Sequence, residues 1–100
     1  MVRVGLYVQL QAKPGKEKEV QSFLESGLAL ANQERGTVVW FAIKMGPATF
    51  GIFDAFADDV GRQAHLDGPI AAALMAKASD LLAVPPEIHK LDVLAAKVPA

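Results

Sequence analysis

Cysteine is absent from the 100 residues, which excludes disulfides, thiolate zinc sites, iron–sulfur clusters and a thiol nucleophile. No run of about 18 apolar residues occurs, so no membrane-spanning helix is expected. A surplus of one charge sign is missing as well. Ten Lys and Arg face eleven Asp and Glu, for a net charge of −1, which leaves little basis for gripping nucleic acid with a basic surface. Neither the Rossmann fingerprint nor a P-loop can be read anywhere, and no serine sits in a nucleophile elbow. Histidine occurs twice, and a metal centre would need His65, His89 and Asp54 to converge. Neither metal nor organic cofactor is therefore expected. The opening Met1-Val2-Arg3-Val4-Gly5 enters strand-like alternation without the apolar core of a signal peptide, and a cytoplasmic protein is the default expectation.

What the chain does have is apolar surface. Hydrophobic residues make up 52%, slightly above the roughly 45–50% of ordinary domains and incompatible with a disordered chain. One hundred residues suit a single domain, residues 1–100 with a core of about 4–96. A domain this small leaves much of its surface in water, so the apolar surplus points to a homodimer interface or a ligand cavity.

The pattern along the chain supplies the elements. Val4, Leu6, Val8, Leu10 and Ala12 alternate with Arg3, Gly5, Tyr7, Gln9 and Gln11, the period of a half-buried strand. Pro14-Gly15 breaks it. From Lys16 the spacing becomes three and four, through Val20, Phe23, Leu24, Leu28 and Ala31, which predicts an amphipathic helix to about Gln33. Glu34-Arg35-Gly36 supplies the stop, with Gly36 suited to a left-handed position. Thr37–Met45 and Thr49–Phe56, joined at Gly46-Pro47-Ala48, read as a hairpin. If it is symmetric about Pro47, Trp40 faces Asp54 and Phe41 faces Phe53. Trp40, Phe50, Ile52, Asp54 and Phe56 then share one side, and Val39, Phe41, Ile43 and Phe53 the other. Asp58 is a fair N-cap for a short helix to Leu66. Pro69 opens another, with Ile70, Leu74, Ala78, Leu81 and Leu82 as its stripe. Ile88–Ala96 reads as a last strand. The order β-α-β-β-α-(α)-β predicts an α+β, ferredoxin-like sandwich with a four-stranded antiparallel sheet. Its bare face, carrying Val39, Phe41, Ile43 and Phe53, is expected to meet a second copy across a two-fold axis.

Val8-Gln9-Leu10-Gln11-Ala12-Lys13-Pro14-Gly15-Lys16, Phe53-Asp54-Ala55-Phe56 and Ala64-His65-Leu66-Asp67-Gly68-Pro69 together resemble the antibiotic biosynthesis monooxygenase family over about residues 4–96. The resemblance implies a homodimeric α/β barrel with a cavity between sheet and helices, and cofactor-independent oxygenation of a small electron-rich aromatic such as a quinol or anthrone. Three positions depart from the family's pattern. Ile70 stands where many members have a second His, and Phe56 where many have Trp. Val8 occupies the position of the Asn that haem-degrading members need. The helix after His65 holds no His, which disfavours haem degradation.

Among the candidate site residues, His65 is a base with ordinary pKa near neutrality, and Asp54 could fix its tautomer. A catalytic His65 must line a cavity and reach a hydrogen-bonding partner. The alternative is structural, with His65 anchoring the loop at Asp67-Gly68 and Asp54 satisfying backbone or Arg62. Trp40, Phe50 and Phe56 are candidate walls for an aromatic substrate, with ordinary core against Phe23, Leu24 and Leu28 as the favoured alternative. Tyr7 could donate to a substrate oxygen or lie at a dimer interface. Molecular oxygen would be the second substrate. A non-catalytic ligand-binding or stress-related barrel, or an isomerase or lyase on the same fold, remain open.

Overall fold

The structure, a computed structural model, describes residues 1–99. Its elements run β1 (Val4–Gln11), α1 (Glu17–Ala31), β2 (Thr37–Lys44), β3 (Thr49–Phe56), α2 (Asp59–Leu66), α3 (Pro69–Leu81) and β4 (Glu87–Asp92). The strands form one antiparallel sheet in the order β2-β3-β1-β4. The α+β, ferredoxin-like reading holds, and the alternation in β1 and β3 is what dictates it. Leu6, Val8, Leu10, Phe50 and Ile52 point to one face and are buried there, the last four in one cluster with Val20, Leu24, Leu74, Leu81 and Leu82.

The hairpin takes the register expected from symmetry about Pro47, with Trp40 paired to Asp54 and Phe41 to Phe53. An irregularity between Thr37 and Val39 shifts the start of β2. The Asp58 side chain accepts from the Gly61 N–H at 3.0 Å and caps α2. Pro69 stands at the start of α3, where its missing N–H costs nothing.

Three expectations need correction. Leu28, placed in the apolar stripe of α1, is about half exposed. β4 ends at Asp92 rather than Ala96. Gly36 is not left-handed, because the positive φ among described residues belongs to Gly15 at 85°. Gly36 serves a different need. A Cβ there would stand 2.9 Å from the Cα of Gly61, and a Cβ on Gly61 would stand 3.0 Å from the Gly36 carbonyl oxygen. Two glycines therefore let the loop after α1 lie directly on α2. No helix among the described residues is long and apolar enough to cross a membrane.

Candidate functional site

That backbone contact brings together three titratable side chains from three elements. β3 presents Asp54 on the helix-facing side of the sheet, 1% exposed. α2 presents His65, whose side chain is 8% exposed, and the loop after α1 presents Glu34 at 15%. Nδ1 of His65 lies 2.6 Å from Oε1 of Glu34. Nε2 lies 3.0 Å from Oδ2 of Asp54, within ion-pair distance but off the line of a good hydrogen bond. The same Glu34 oxygen accepts from the Thr37 hydroxyl at 2.7 Å. The His65 ring also leans on Phe56, with 5.5 Å between ring centres and planes tilted by 45°.

Burial works to lower the pKa of His65, but the Asp54 and Glu34 carboxylates outweigh it and hold the imidazole above its usual value of 6.5. The two acidic side chains thus favour the protonated form of the ring that lies between them. Removing charged groups from water is expensive, and the cluster sets one basic side chain against two acidic ones. Neither oxygen of Asp54 accepts a well-formed hydrogen bond, and Oε2 of Glu34 lacks one as well.

The other sequence candidates separate. Trp40 walls an apolar chamber of about 80 Å³ between α1, α3 and the sheet, together with Phe23, Leu24, Ile52, Ile70 and Leu74. Gly27 makes room for the indole, since a Cβ there would lie 3.2 Å from its ring atoms. The Trp40 Nε1–H is buried with no acceptor. His65 and Asp54 are not walls of this chamber. Asp54 lies one pleat beyond its floor residue Ile52 and directly across from Trp40. Phe50 and Phe56 are core residues, 2% and 0% exposed, and neither walls the chamber. Tyr7 pairs with Phe53 on the opposite face of the sheet, donates to the Met45 sulfur and stacks on His89. In one chain, therefore, Tyr7 does not join the site, and His89 stands away from His65 and Asp54. Arg62 does not serve Asp54 either, since it donates to the carbonyls of Gly5 and Leu91 and pairs with Asp59. A wider surface groove of about 750 Å³ is lined by Lys13, Lys16, Lys18 and Lys77 together with Glu19 and Asp80, and none of these polar side chains is buried.

Glu34 was legible in sequence only as part of a helix stop. It is 31 residues from His65, and no local pattern links the two.

No protein-family model matches the chain, and no curated protein does either. Solved structures do. A protein of unknown function from Nitrosomonas europaea is 61% identical, with 100% of this chain and 97% of that one covered and a TM-score of 0.98. A second Nitrosomonas europaea protein, named as a candidate antibiotic biosynthesis monooxygenase, is 15% identical over 92% of this chain and 99% of its own, at a TM-score of 0.83. One from Caulobacter crescentus, named likewise, is 18% identical over 94% and 92%, at 0.80. At those identities the likeness is one of fold. The chain thus belongs to one family with the Nitrosomonas protein of unknown function, a family that is antibiotic-biosynthesis-monooxygenase-like in its fold.

Proposed function

We propose that the protein is a cofactor-independent monooxygenase that takes a small electron-rich ring bearing a hydroxyl, of quinol or anthrone type, together with molecular oxygen. The observation that carries this reading is an apolar chamber walled by Trp40 whose cross-strand neighbour is the buried carboxylate of Asp54, which has no well-formed hydrogen bond. Ground-state oxygen is a triplet and reacts slowly with closed-shell molecules. A ring held as its phenolate or enolate can pass one electron to oxygen, and the radical pair then recombines. What the protein must supply is a dry place for the ring and a means of taking its proton.

Homodimerisation belongs to the same proposal. Phe41 and Ile43 are exposed on the open face of the sheet, 54% and 39%, beside Val39 and Phe53. A second copy on this face would cover them.

One observation favours a second reading, a non-catalytic carrier of a small ligand. The chamber's 80 Å³ is below the roughly 300–1,000 Å³ of ordinary ligand sites, so a multi-ring substrate requires α1 and α3 to part. Oxygen uptake with a panel of quinols and anthrones separates the two. The oxygenase reading expects uptake that falls by a factor of about 10² or more in Asp54→Asn. Binding without uptake supports the carrier, and turnover under nitrogen supports an isomerase or lyase.

A further inference from the structure

Among the described residues, Trp40, Asp54 and Glu34 carry buried polar atoms without a hydrogen-bond partner, and the first two sit on neighbouring strands and are of opposite kind. The Trp40 Nε1–H is a donor without an acceptor, and the Asp54 carboxylate is an acceptor without a well-aligned donor. Their residues are paired across β2 and β3, and both face the helices. Side chains so paired have Cβ atoms about 4.5–5.5 Å apart. Each orphaned group costs free energy unless something satisfies it, and one chemical group answers both needs. A hydroxyl donates its hydrogen and accepts at its oxygen. A ring in the chamber beside Trp40 that directs a hydroxyl beyond Ile52 would meet both.

His65 is badly placed for the same task. Both of its nitrogens face carboxylates, Nδ1 at 2.6 Å and Nε2 at 3.0 Å in a poorly aligned contact, and a ring that presents N–H to both has no lone pair with which to take a proton. Of the two acids Glu34 has the closer contact with the ring, at 2.6 Å, and the same oxygen is held by Thr37, while Asp54 stands at 3.0 Å with its Oδ1 free of any hydrogen bond.

We propose that Asp54 rather than His65 is the proton acceptor of the chamber, that Trp40 Nε1–H binds the oxygen left behind, and that Glu34 is the positioning residue that frees Asp54 by holding the imidazolium. This rests on the reading of the chamber as the site of a hydroxylated ring. In the step itself the ligand O–H bond breaks, the proton bonds to an Asp54 carboxylate oxygen, and the electron pair stays on the ligand oxygen, which then accepts from Trp40. The charge of the whole site is unchanged, because His65 stays paired with Glu34 throughout. Without Glu34 the imidazolium has Asp54 as its one remaining counterion, and Asp54 is held as its partner instead of being offered to the ligand.

Trp40 is the only tryptophan, so its fluorescence reports the chamber directly. Phenol and its methyl ether, anisole, serve as probes that differ in the hydroxyl hydrogen. The wild type is expected to bind phenol about tenfold more tightly than anisole, the usual scale for a buried hydrogen bond to a charged group. In Glu34→Gln that preference is expected to shrink to about threefold or less, with anisole binding unchanged. A merely structural Glu34 would lower the melting temperature and leave the preference intact, which overturns the proposal. Equal binding of both probes by the wild type also overturns it while sparing the ring-binding reading, and failure to bind either probe overturns both. A measurement without any variant guards against misfolding of Glu34→Gln. The side-chain ¹⁵N resonances of His65 in phenol-saturated wild type at neutral pH are expected to be those of an imidazolium. Resonances of a neutral ring with a free Nε2 would return the proton-accepting role to His65 and end the proposal.

Discussion

His65 is a side chain whose environment decides its behaviour more than its identity does. Alone it would titrate near 6.5, but two carboxylates hold it above that value despite burial. The sign of the linkage follows. A group whose pKa is higher in the folded than in the unfolded chain stabilises the fold fully below the unfolded value of 6.5. The contribution is lost as pH rises through the folded pKa. The wild type is therefore expected to lose thermal stability on going from about pH 6 into the alkaline range. His65→Gln should lack that slope, and melting temperatures of both proteins across the range check it. Truncation to His65→Ala leaves two carboxylates facing each other without a cation. Breaking a buried pair in this way costs about 3–5 kcal/mol, a fall of tens of degrees in a domain where about 1 kcal/mol moves the midpoint by 4–8 °C. Denaturant unfolding of the variant measures it. A loss under about 1 kcal/mol would mean that the cluster is not ionised as described.

At the scale of elements, the site exists because the α1–β2 loop lies against α2. Gly36 and Gly61 permit that approach, each occupying the space a side chain on the other would need. Gly36→Ala pushes a methyl group into backbone 2.9 Å away, and backbone cannot turn aside as a flexible side chain can. We expect a loss of about 1–3 kcal/mol, the usual cost of overpacking. Glu34, two residues away, moves with the loop, so His65 should titrate at lower pH in this variant than in the wild type. Following the His65 resonances by NMR, with His89 as the second histidine signal, tests both consequences together. A variant that loses stability but keeps its His65 titration would disconnect the glycine contact from the site.

On the scale of the whole molecule, the open sheet face sets the expected assembly. Phe41, Ile43, Val39 and Phe53 lie together there, with Tyr7 and Met45 joined by their own contact. Sedimentation at micromolar concentration is expected to give a dimer burying more than roughly 1,200 Å² in total, the lower bound for a stable specific contact. Phe41→Lys should shift it toward monomer. A well-folded wild-type monomer would show that this face serves some other purpose.

What the sequence determined by itself was everything carried by local periodicity. The alternation of Val4 to Ala12, the three-and-four spacing after Lys16 and the turn at Pro47 fix the strands, the helix and even the pairing of Trp40 with Asp54, because hairpin register is set by turn geometry within a few residues. Asp58 and Pro69 mark helix starts for equally local reasons. The end of β4 was less legible, because Ile88–Ala96 has strand-like residues throughout and the pairing stops at Asp92, opposite Val4 where β1 begins. Only the tertiary structure decided the site. Asp54, His65, Glu34 and Trp40 lie on four separate elements, and no spacing in the chain says that a glutamate in a helix stop will meet a histidine 31 residues on. The same holds for Tyr7 and Phe56. The first lies across the sheet from the cluster, and the second packs beneath the imidazole. Which candidates meet is settled by how far the loop after α1 can approach α2, and that distance depends on the two glycines and the packing of the whole helical layer.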